Sequence, residues 1–393
     1  MSKIPRVILL IEVANEYGRK LINGIVKYSK VYGPWTFYRT VPYVYVEYPF
    51  NRKFVGDKTF GILKAWHADG IIAHVSDKVA KNVLELNIPT IIATQSTIKG
   101  LATITADYLA IGKMAAEHFL NKRFQNFAFC GVGDLLWAQK RGEGFANRLK
   151  EAGFDTYIYQ SPQNKLNCNW RYEQNHMAKW LKSLPKPIGL LACNDDRAAQ
   201  LIEACKIAEL RVPEQIAVIG VDNDRFICEL THPPLSSIEM DTETAGFEAA
   251  KLLDEMIKGN KLSMDEIIIH PTFVEGREST DILAINDPNI ARAIRYIYDN
   301  LKRDVLVEEV AAAAMMSRRT LERRFAEILG KSVKHEIRRA RVELTAKMLI
   351  ETNLAIHQIA MALGYPGVDH VSRYFRQEKG MSPLTYRKKY GKK

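Results

Sequence analysis

Apolar runs and amphipathic stretches alternate along the chain from Arg6 to about Ser279. The apolar runs predict strands at Val7–Val13, Gly70–Val75, Thr90–Thr94, Phe127–Gly131, Ile188–Cys193, Ile216–Val221 and Ile267–Val274. Apolar residues at helical spacing predict helices at Arg19–Lys30, Val79–Leu86, Tyr108–Asn121, Arg141–Gly153, Asp195–Glu209 and Gly246–Lys258. Strands that are apolar on both faces and alternate with helices are typical of parallel sheets joined by crossover helices. Because the pattern is too long for one such sheet, it predicts an α/β domain of two lobes.

The tail of the chain carries a different pattern, and it carries that pattern twice. The first copy consists of Val310, Ala311, Ser317, Leu321, Arg323, Phe325, Gly330 and Ser332. The second consists of Ile359, Ala360, Val371, Arg373, Phe375, Gly380 and Ser382. Each copy predicts a supporting helix, a turn and a second basic helix, at Val307–Ala314 with Ser317–Leu329 and at Ala355–Leu363 with Val368–Lys379. This is the outline of a helix-turn-helix, and the repetition indicates a duplicated structural unit.

A polar, irregular stretch separates the two patterns. Asp287 followed by Pro288 is a typical helix start, with Asp as the N-cap and Pro at the first helical position. We therefore expect an α/β domain at residues 1–279, a linker at 280–287 and an all-α domain at 288–393. Within the first domain, one lobe is predicted from about 1–106 and 237–260, and the other from about 107–236 and 261–279.

Charge separates the same two regions. From Asn286 to Lys393 there are 22 Lys and Arg residues against 12 Asp and Glu, whereas the preceding part holds 34 against 33. The formal net charge of +11 therefore belongs almost wholly to the tail. A solvated, Lys-rich end would give the same count. Combined with two helix-turn-helix patterns, however, a concentrated positive field favours binding to the phosphates of double-stranded DNA.

The sequence lacks the residue patterns of common catalytic and cofactor sites. Its five cysteines form no C-x-x-C pair, and no cluster of histidines completes a metal site. Gly131 and Gly133 fail the dinucleotide-binding fingerprint because position 136 is Leu, and there is no phosphate-binding P-loop. His67 and His74 are isolated, and we interpret both as structural. The prediction is a protein with no catalytic residues, no metal and no cofactor.

The start of the chain runs directly into a strand-like segment, without the apolar stretch of a signal peptide. No run of about 18 apolar residues predicts a membrane span. An odd number of scattered cysteines suits free thiols in a reducing compartment. We therefore expect a cytoplasmic protein, associated with the bacterial nucleoid through its basic tail, with no membrane partner.

Polar side chains follow several of the predicted strands, at the edge where open parallel sheets bind ligands. Asn194 and Asp195 follow one strand, and Asp222 and Asn223 follow another. Trp137 and Arg141 come soon after a third strand. Carboxylates accept hydroxyl donors, Arg and Asn donate in return, and an aromatic ring can cover the C–H face of a sugar. This mixture favours a small neutral sugar over a phosphate, which clustered carboxylates would repel.

The tail resembles the DNA-binding domain of the AraC/XylS family. The matching residues are the two copies above with Gly364, Tyr365, Met381, Pro383, Tyr386 and Arg387. The resemblance implies that both second helices enter successive major grooves, with base contacts from Arg319, Glu322, Arg323, Asp369, His370 and Arg373. From their helical positions, Arg338, Arg339 and Arg341 suit backbone phosphates. Met315 departs from the family pattern, which often has a smaller residue in the turn. Glu322 has a simpler reading, as an ion-pair partner of Arg318 or Arg319.

The preceding domain resembles the effector domain of the LacI/GalR family. The matching pieces are Ala68–Ile72, Ile88–Ile91, Asp107 with Gly112, Arg141 with Gly144 and Phe145, Asn194–Asp195 and Val218–Asn223. This implies a two-lobed fold like that of the periplasmic sugar-binding proteins (type I). It also implies a sugar cleft lined by Asp107, Arg141, Asn194, Asp195 and Asp222, with the end of the first strand, Glu12 to Tyr17, supplying the wall from the other lobe. Asp107 has a second interpretation, as the cap of the helix that follows it. Arg197 and Asn223 depart from the family's usual residues.

The two resemblances together imply a sugar-responsive transcription activator that binds promoter direct repeats as a homodimer and acts on RNA polymerase. D-Xylose is the leading ligand by resemblance, whereas the cleft chemistry alone indicates only a small neutral sugar. Three alternatives stay open: another pentose or hexose as ligand, a repressor or architectural protein, and an enzyme with a fused DNA-binding domain. A doubly wound fold hosts many enzymes, so fold alone does not exclude the last of these.

Overall fold

A computed structural model describes residues 4–39, 66–74, 83–95, 101–133, 135–161, 170–260, 266–282 and 287–390. The chain divides into two compact units, one formed by residues 1–119 and 125–282 and the other by 120–124 and 283–393. We call them the α/β unit and the helical unit. The predicted helix at 79–86 lies partly outside the described residues, as does half of the predicted linker. No helix among the described ranges is long and apolar enough to cross a membrane.

The described part of the α/β unit contains the strands β1 Arg6–Leu10, β2 Thr36–Arg39, β3 Gly70–His74, β4 Thr90–Ala93, β5 Ala102–Ala106, β6 Phe127–Cys130, β7 Thr156–Ile158, β8 Ile188–Ala192, β9 Ile216–Val221, β10 Ser236–Met240, β11 Glu266–Ile269 and β12 Pro271–Glu275. Its helices are α1 Glu16–Tyr32, α2 Tyr108–Asn121, α3 Leu136–Glu151, α4 Trp170–Ser183, α5 Asp195–Ile207, α6 Arg225–Leu230 and α7 Thr242–Ile257. A 3-10 turn, Glu278–Thr280, follows β12.

These strands form two six-stranded sheets, in the orders β11-β5-β4-β3-β1-β2 and β12-β10-β9-β8-β6-β7. All pairings are parallel except that of β10 with β12. The central strands are buried along their length, as their continuous apolar sequences require. Helices α1 and α7 pack closely against each other, because Gly24 of α1 and Gly246 of α7 place no side chain between the two helices. A Cβ on Gly24 would lie 1.9 Å from the Glu243 carbonyl oxygen.

The two sheets define two lobes, and their boundaries differ from the predicted ones. β10 belongs to the second sheet, so residues 237–240 lie in the second lobe and the crossover follows Met240. The predicted single strand at 267–274 is two strands, because β11 pairs with β5 of the first sheet and β12 with β10 of the second. The break falls at His270, whose carbonyl accepts a hydrogen bond from the Asp241 amide at the neighbouring crossover. The chain therefore crosses between lobes near residues 107, 241 and 270.

The helical unit contains α8 Pro288–Asp299, α9 Val307–Ala313, α10 Arg318–Leu329, α11 Val333–Glu351, α12 Ile356–Ala362, α13 Val368–Lys379 and α14 Pro383–Tyr390. Local signals set its helix ends. Asp287, Ser317 and Ser332 cap α8, α10 and α11 by accepting backbone N–H bonds. Gly330 and Gly380 end α10 and α13 in the left-handed region, at φ 64° and 71°.

Each helix-turn-helix has its own hydrophobic core, and α11 contributes to both. Leu321 and Phe325 of α10 pack with α8, α9 and the first half of α11. Val371 and Phe375 of α13 pack with α12 and the second half of α11. The turn residue Met315 has φ 53° and a side chain 78% exposed, so the larger side chain there points to solvent and leaves the turn geometry in place.

Candidate functional sites

Side chains from both lobes meet at the carboxyl ends of the two sheets. The rings of Tyr17, at the start of α1, and His74, at the end of β3, have centroids 4.8 Å apart. From the second lobe, the Nη2 atom of Arg141 lies 3.4 Å from the Oδ1 atom of Asp222. Burial raises the pKa of Tyr17, and electrostatic interactions with Tyr108 and Asp222 raise it further. We call these five residues the pocket group: Tyr17, His74, Tyr108, Arg141 and Asp222.

Arg141 is the cation of the pocket group, and only 6% of the residue is exposed. It donates to the carbonyl oxygen of Cys193, and its Nε lacks a hydrogen-bond partner within the described ranges. Its guanidinium carbon lies 5.0 Å from the centroid of Trp137 and 5.9 Å from that of Tyr108. A guanidinium held between an aromatic ring and a carboxylate, with an N–H left over, is suited to donate to a hydroxyl oxygen.

His74 is a pocket residue that the sequence analysis missed. Its Nδ1 is buried with no hydrogen-bond partner in the part of the chain that the structure describes. Burial lowers its pKa to about 4, against a smaller opposing effect of Asp222, so the ring is neutral near pH 7. A neutral imidazole both donates and accepts, as hydroxyl recognition requires. The signal in the sequence was its place at the end of an apolar strand.

Five of the predicted sugar ligands are held by hydrogen bonds to neighbouring protein groups, beginning with Asp195 and Asn194 in the second lobe. Asp195 is 2% exposed and accepts hydrogen bonds from the Ser237 hydroxyl at 2.6 Å and the Asp224 amide at 2.7 Å. Asn194 caps α5 by accepting from the Arg197 amide at 3.0 Å. The structure thus uses the carboxylate of Asp195 and the side-chain oxygen of Asn194 to build the second lobe.

Asn223 is also engaged by its neighbours, since its Nδ2 donates to Glu239 at 2.7 Å and its Oδ1 accepts from Arg277 at 2.8 Å. Asp107 adopts its alternative role as a cap, accepting from the Ala110 amide at 3.0 Å. Asp107 also lies 3.5 Å from Nδ1 of His270, so it marks a crossover between lobes. Glu12 is 7% exposed and accepts from the Ala14 amide at 3.0 Å, which closes the turn before α1.

Direct contacts join the two lobes beside the pocket group. The Nη2 of Arg19 on α1 lies 2.6 Å from Oδ2 of Asp224, and the Nζ of Lys20 lies 2.5 Å from Oε1 of Glu239. The Glu16 amide also donates to Asp224, at 3.1 Å. Arg19 and Lys20 belong to the first lobe and both carboxylates to the second, so these ion pairs depend on how far apart the lobes stand. We call Arg19, Lys20, Asp224 and Glu239 the interlobe latch.

The exposed face of α10 carries the first three predicted base readers. Arg319 is exposed and has no ion-pair partner within the described ranges. Glu322 pairs with Arg318 at 3.0 Å, as its simpler reading anticipated, and Arg323 pairs with Glu327 at 2.9 Å. Exposed pairs of this kind are weak, so they exchange readily for contacts to DNA.

On α13, the predicted base reader Asp369 is exposed and His370 is partly buried. Arg373 is exposed, donates to the Tyr374 hydroxyl at 3.3 Å and lies with its guanidinium carbon 4.9 Å from that ring. The two predicted sets of base readers therefore occupy corresponding faces of α10 and α13, with different side chains in each.

The predicted phosphate contact at Arg339 was wrong. Only 8% of the residue is exposed, and its Nη2 donates at 2.6 Å both to Glu336 and to the Tyr298 hydroxyl. Arg341, predicted as a phosphate contact in the same way, is also buried, with 6% of the residue exposed. Helical spacing alone could not distinguish these buried positions from Arg338. Arg338 is 34% exposed, lies 3.3 Å from Glu378 and retains access to a phosphate. Arg324 of α10 is also engaged within the protein, since it pairs with the buried N-cap Asp287 at 2.5 Å.

Two protein families match the two units. Residues 116–280 match the periplasmic binding protein-like domain, and residues 310–389 match the helix-turn-helix domain. The chain is a DNA-binding transcription regulator. This confirms the predicted order of an α/β effector domain followed by a helical DNA-binding domain.

Relatives of nearly the same length support this assignment. The regulator is 29% identical over 392 residues to the xylose operon regulatory protein of Haemophilus influenzae, covering 97% of this chain and 98% of the relative. It is 28% identical over 396 residues to that of Escherichia coli K12, covering 98% and 97%. These relatives are regulators, in agreement with our preference for a regulator over an enzyme.

Solved structures give the same result. A xylose-binding transcription activator is 26% identical to the regulator, with a TM-score of 0.62 over 100% of both chains. A LacI-type protein from Alkaliphilus metalliredigens, solved with D-xylulofuranose, is 20% identical with a TM-score of 0.55, and covers 71% of this chain and 99% of its own. The second likeness concerns the fold of the α/β unit alone.

Proposed function

We propose that the regulator binds D-xylose between its lobes and, in response, activates genes for pentose use. The pocket group is the observation that carries this proposal. It combines the neutral imidazole of His74, a buried guanidinium and a carboxylate with two tyrosine hydroxyls and the adjacent Trp137 ring. Such groups recognise hydroxyls and a C–H face, and they include no cluster of cations for a phosphate. The names of the full-length relatives favour xylose among small neutral sugars.

Sugar binding acts on DNA through the relative position of the lobes. The pocket group draws Tyr17 and His74 from one lobe, and Arg141 and Asp222 from the other. A sugar that contacts both sides binds the closed arrangement more tightly, and only this difference in affinity shifts the equilibrium between arrangements. We propose that closure alters how two protomers present their four helix-turn-helix units to direct repeats. The position of the protomers on the DNA then determines whether they contact RNA polymerase, and we place this activity in the cytoplasm.

In the bound state, α10 and α13 enter successive major grooves. Arg319, Glu322 and Arg323 read one segment, and Asp369, His370 and Arg373 read the next. The exposed Arg338 contacts phosphate. Because only Arg323 and Arg373 correspond between the two helices, the units read different bases within one extended half-site.

Calorimetry with D-xylose, other pentoses and hexoses tests the sugar, and footprinting of the full-length chain on candidate promoters with and without sugar tests the response. We expect micromolar to millimolar binding of one pentose, and a footprint that changes with it. If none of these sugars binds, the proposal of a sugar ligand is overturned. A protection pattern indifferent to a bound sugar would overturn the switch, and protection that blocks transcription until sugar arrives would indicate a repressor.

A further inference from the structure

The long helix α11 passes from one hydrophobic core to the other. Val333, Ile337 and Ala340 pack in the core of the first helix-turn-helix, and Val342 and Ala346 pack in the core of the second. Arg341 lies at the boundary between them. It is 6% exposed, which is unusual for a cation, so its contacts require an explanation.

Arg341 contacts both helix-turn-helix units with one side chain. We call the one that contains α10 the first unit and the one that contains α13 the second unit. The Nη2 of Arg341 donates to the carbonyl oxygen of Leu363, in the turn of the second unit. Its guanidinium carbon lies 3.9 Å from the ring centroid of Tyr365 in the same turn. Its Nη1 lies 3.3 Å from Oδ1 of Asp304, in the segment that leads into α9 of the first unit. The planar fork of Arg makes these contacts simultaneously, as a lysine cannot.

The backbone at Gly364 provides a second, independent connection between the same two segments. The residue has φ +62°, and a Cβ placed there would lie 3.0 Å from Cα of Arg303 and 3.1 Å from the amide nitrogen of Asp304. The turn of the second unit therefore packs directly on the segment preceding the first. Glycine is required both by the left-handed backbone and by the close approach.

We propose that Arg341 is a positioning residue that fixes the spacing and angle between α10 and α13, and so the number of base pairs between the segments they read. This rests on the proposed reading of one half-site by both units. Sliding or rotating one unit against the other would leave a buried guanidinium without its partners, which is strongly unfavourable. On DNA, one inserted base pair moves the second segment by about 3.4 Å along the axis and also rotates it, so a stiff pair of units rejects it.

The test uses the full-length chain and a duplex that it enriches from a randomised DNA library. Single base pairs are then inserted or deleted between the segments protected by the two units. We expect wild type to lose about tenfold or more in affinity for each one-base-pair change, the effect of losing base contacts. Arg341→Met should lose less than about threefold on the altered duplexes, because its second unit can shift to follow the DNA.

Arg339→Met is the matched control, since it removes another buried arginine of α11. The polar partners of Arg339 are Glu336, in the first half of α11, and Tyr298 of α8, so neither belongs to the second unit. Arg339→Met should keep the wild-type dependence on spacing even if it lowers the melting temperature. If Arg341→Met lowers the affinity for every duplex by the same factor, the role of Arg341 is merely structural and the proposal is overturned.

If Arg341→Met fails to fold, Arg341→Lys decides the question. It keeps the charge but lacks the fork, so a spacing dependence shallower than that of wild type supports the proposal and an unchanged dependence overturns it. If wild type enriches a duplex but tolerates changed spacing, this inference is wrong while DNA reading stands. If no duplex is enriched, the proposed function fails as well.

Discussion

Removing the ion pair between Arg19 and Asp224 should weaken sugar binding without touching the sugar. The two side chains lie 2.6 Å apart across the lobes, with Asp224 5% and Arg19 36% exposed. A hydrogen bond to a charged group contributes about 1.5–3 kcal/mol, and an exposed ion pair about 0–1 kcal/mol. Because Arg19 is more than a third exposed, we place this pair at about 1 kcal/mol, which corresponds to about a fivefold change in Kd.

The assay is a double-mutant cycle on the Kd for D-xylose, with Arg19→Met, Asp224→Asn and the double variant. Each single variant should raise Kd several-fold, and the double variant should add little to either. Raising the salt concentration from about 0.1 M to about 1 M shortens the screening length from about 10 Å to about 3 Å, and should weaken wild type more than the variants.

Arg225→Met is the matched control. Arg225 pairs with Glu229 at 2.7 Å within the second lobe, and the two side chains are 82% and 57% exposed. Its loss should leave Kd unchanged, because that pair does not depend on the distance between lobes. The reasoning is refuted if Arg19→Met lowers the melting temperature but leaves Kd at the wild-type value, or if the two single effects simply add.

Three further outcomes follow from the structure. Burial lowers the pKa of His74 to about 4, so between about pH 6.5 and 4 this histidine is protonated in the unfolded chain but neutral in the folded chain. Stability should therefore fall with pH in that window by up to about 3 kcal/mol, and denaturant unfolding at pH 7 and 5 should show a smaller fall for His74→Gln. Arg323→Ala and Arg373→Ala should each relax base preference in a different segment of a selected duplex; loss of the same segment in both would contradict separate reading. Asp195→Asn should lower stability by about 1–3 kcal/mol, because it disturbs a buried acceptor, while sugar affinity, followed by calorimetry, stays within a few-fold.

How much could be predicted from the sequence depends on how local the cause is. The helix-turn-helix units were predicted nearly to the residue, because the Ser317 cap of α10 and the glycine ends of α10 and α13 at Gly330 and Gly380 act within one turn of the chain. The Asp287 cap of the preceding helix α8 is equally local. The strands apolar on both faces were equally legible. Strand β10, with the sequence Ser-Ser-Ile-Glu-Met, was missed because its burial comes from neighbours distant in sequence.

The division of the chain near residue 270 needed the tertiary structure. Residues 267–274 read as one strand, since β-propensity continues through His270, but successive parts pair with different sheets. Pro271 is a local sign of a break in the strand, but the pairing partners lie more than 30 residues away in either case, so the sequence does not show which sheet each part joins. The same limit displaced the predicted lobe boundaries.

Which polar residues face the cleft was also decided by tertiary contacts. The sequence determined that carboxylates, amides and an arginine would gather at the ends of the strands. It could not determine that Ser237, 42 residues away, would engage Asp195, or that Tyr298, 41 residues before Arg339, would bury that cation. A buried polar group is stable only beside a partner that completes its hydrogen bonds, and the fold alone brings such partners together. His74, whose Nδ1 has no hydrogen-bond partner among the described residues, and Tyr108 are the two members of the pocket group that only the structure revealed.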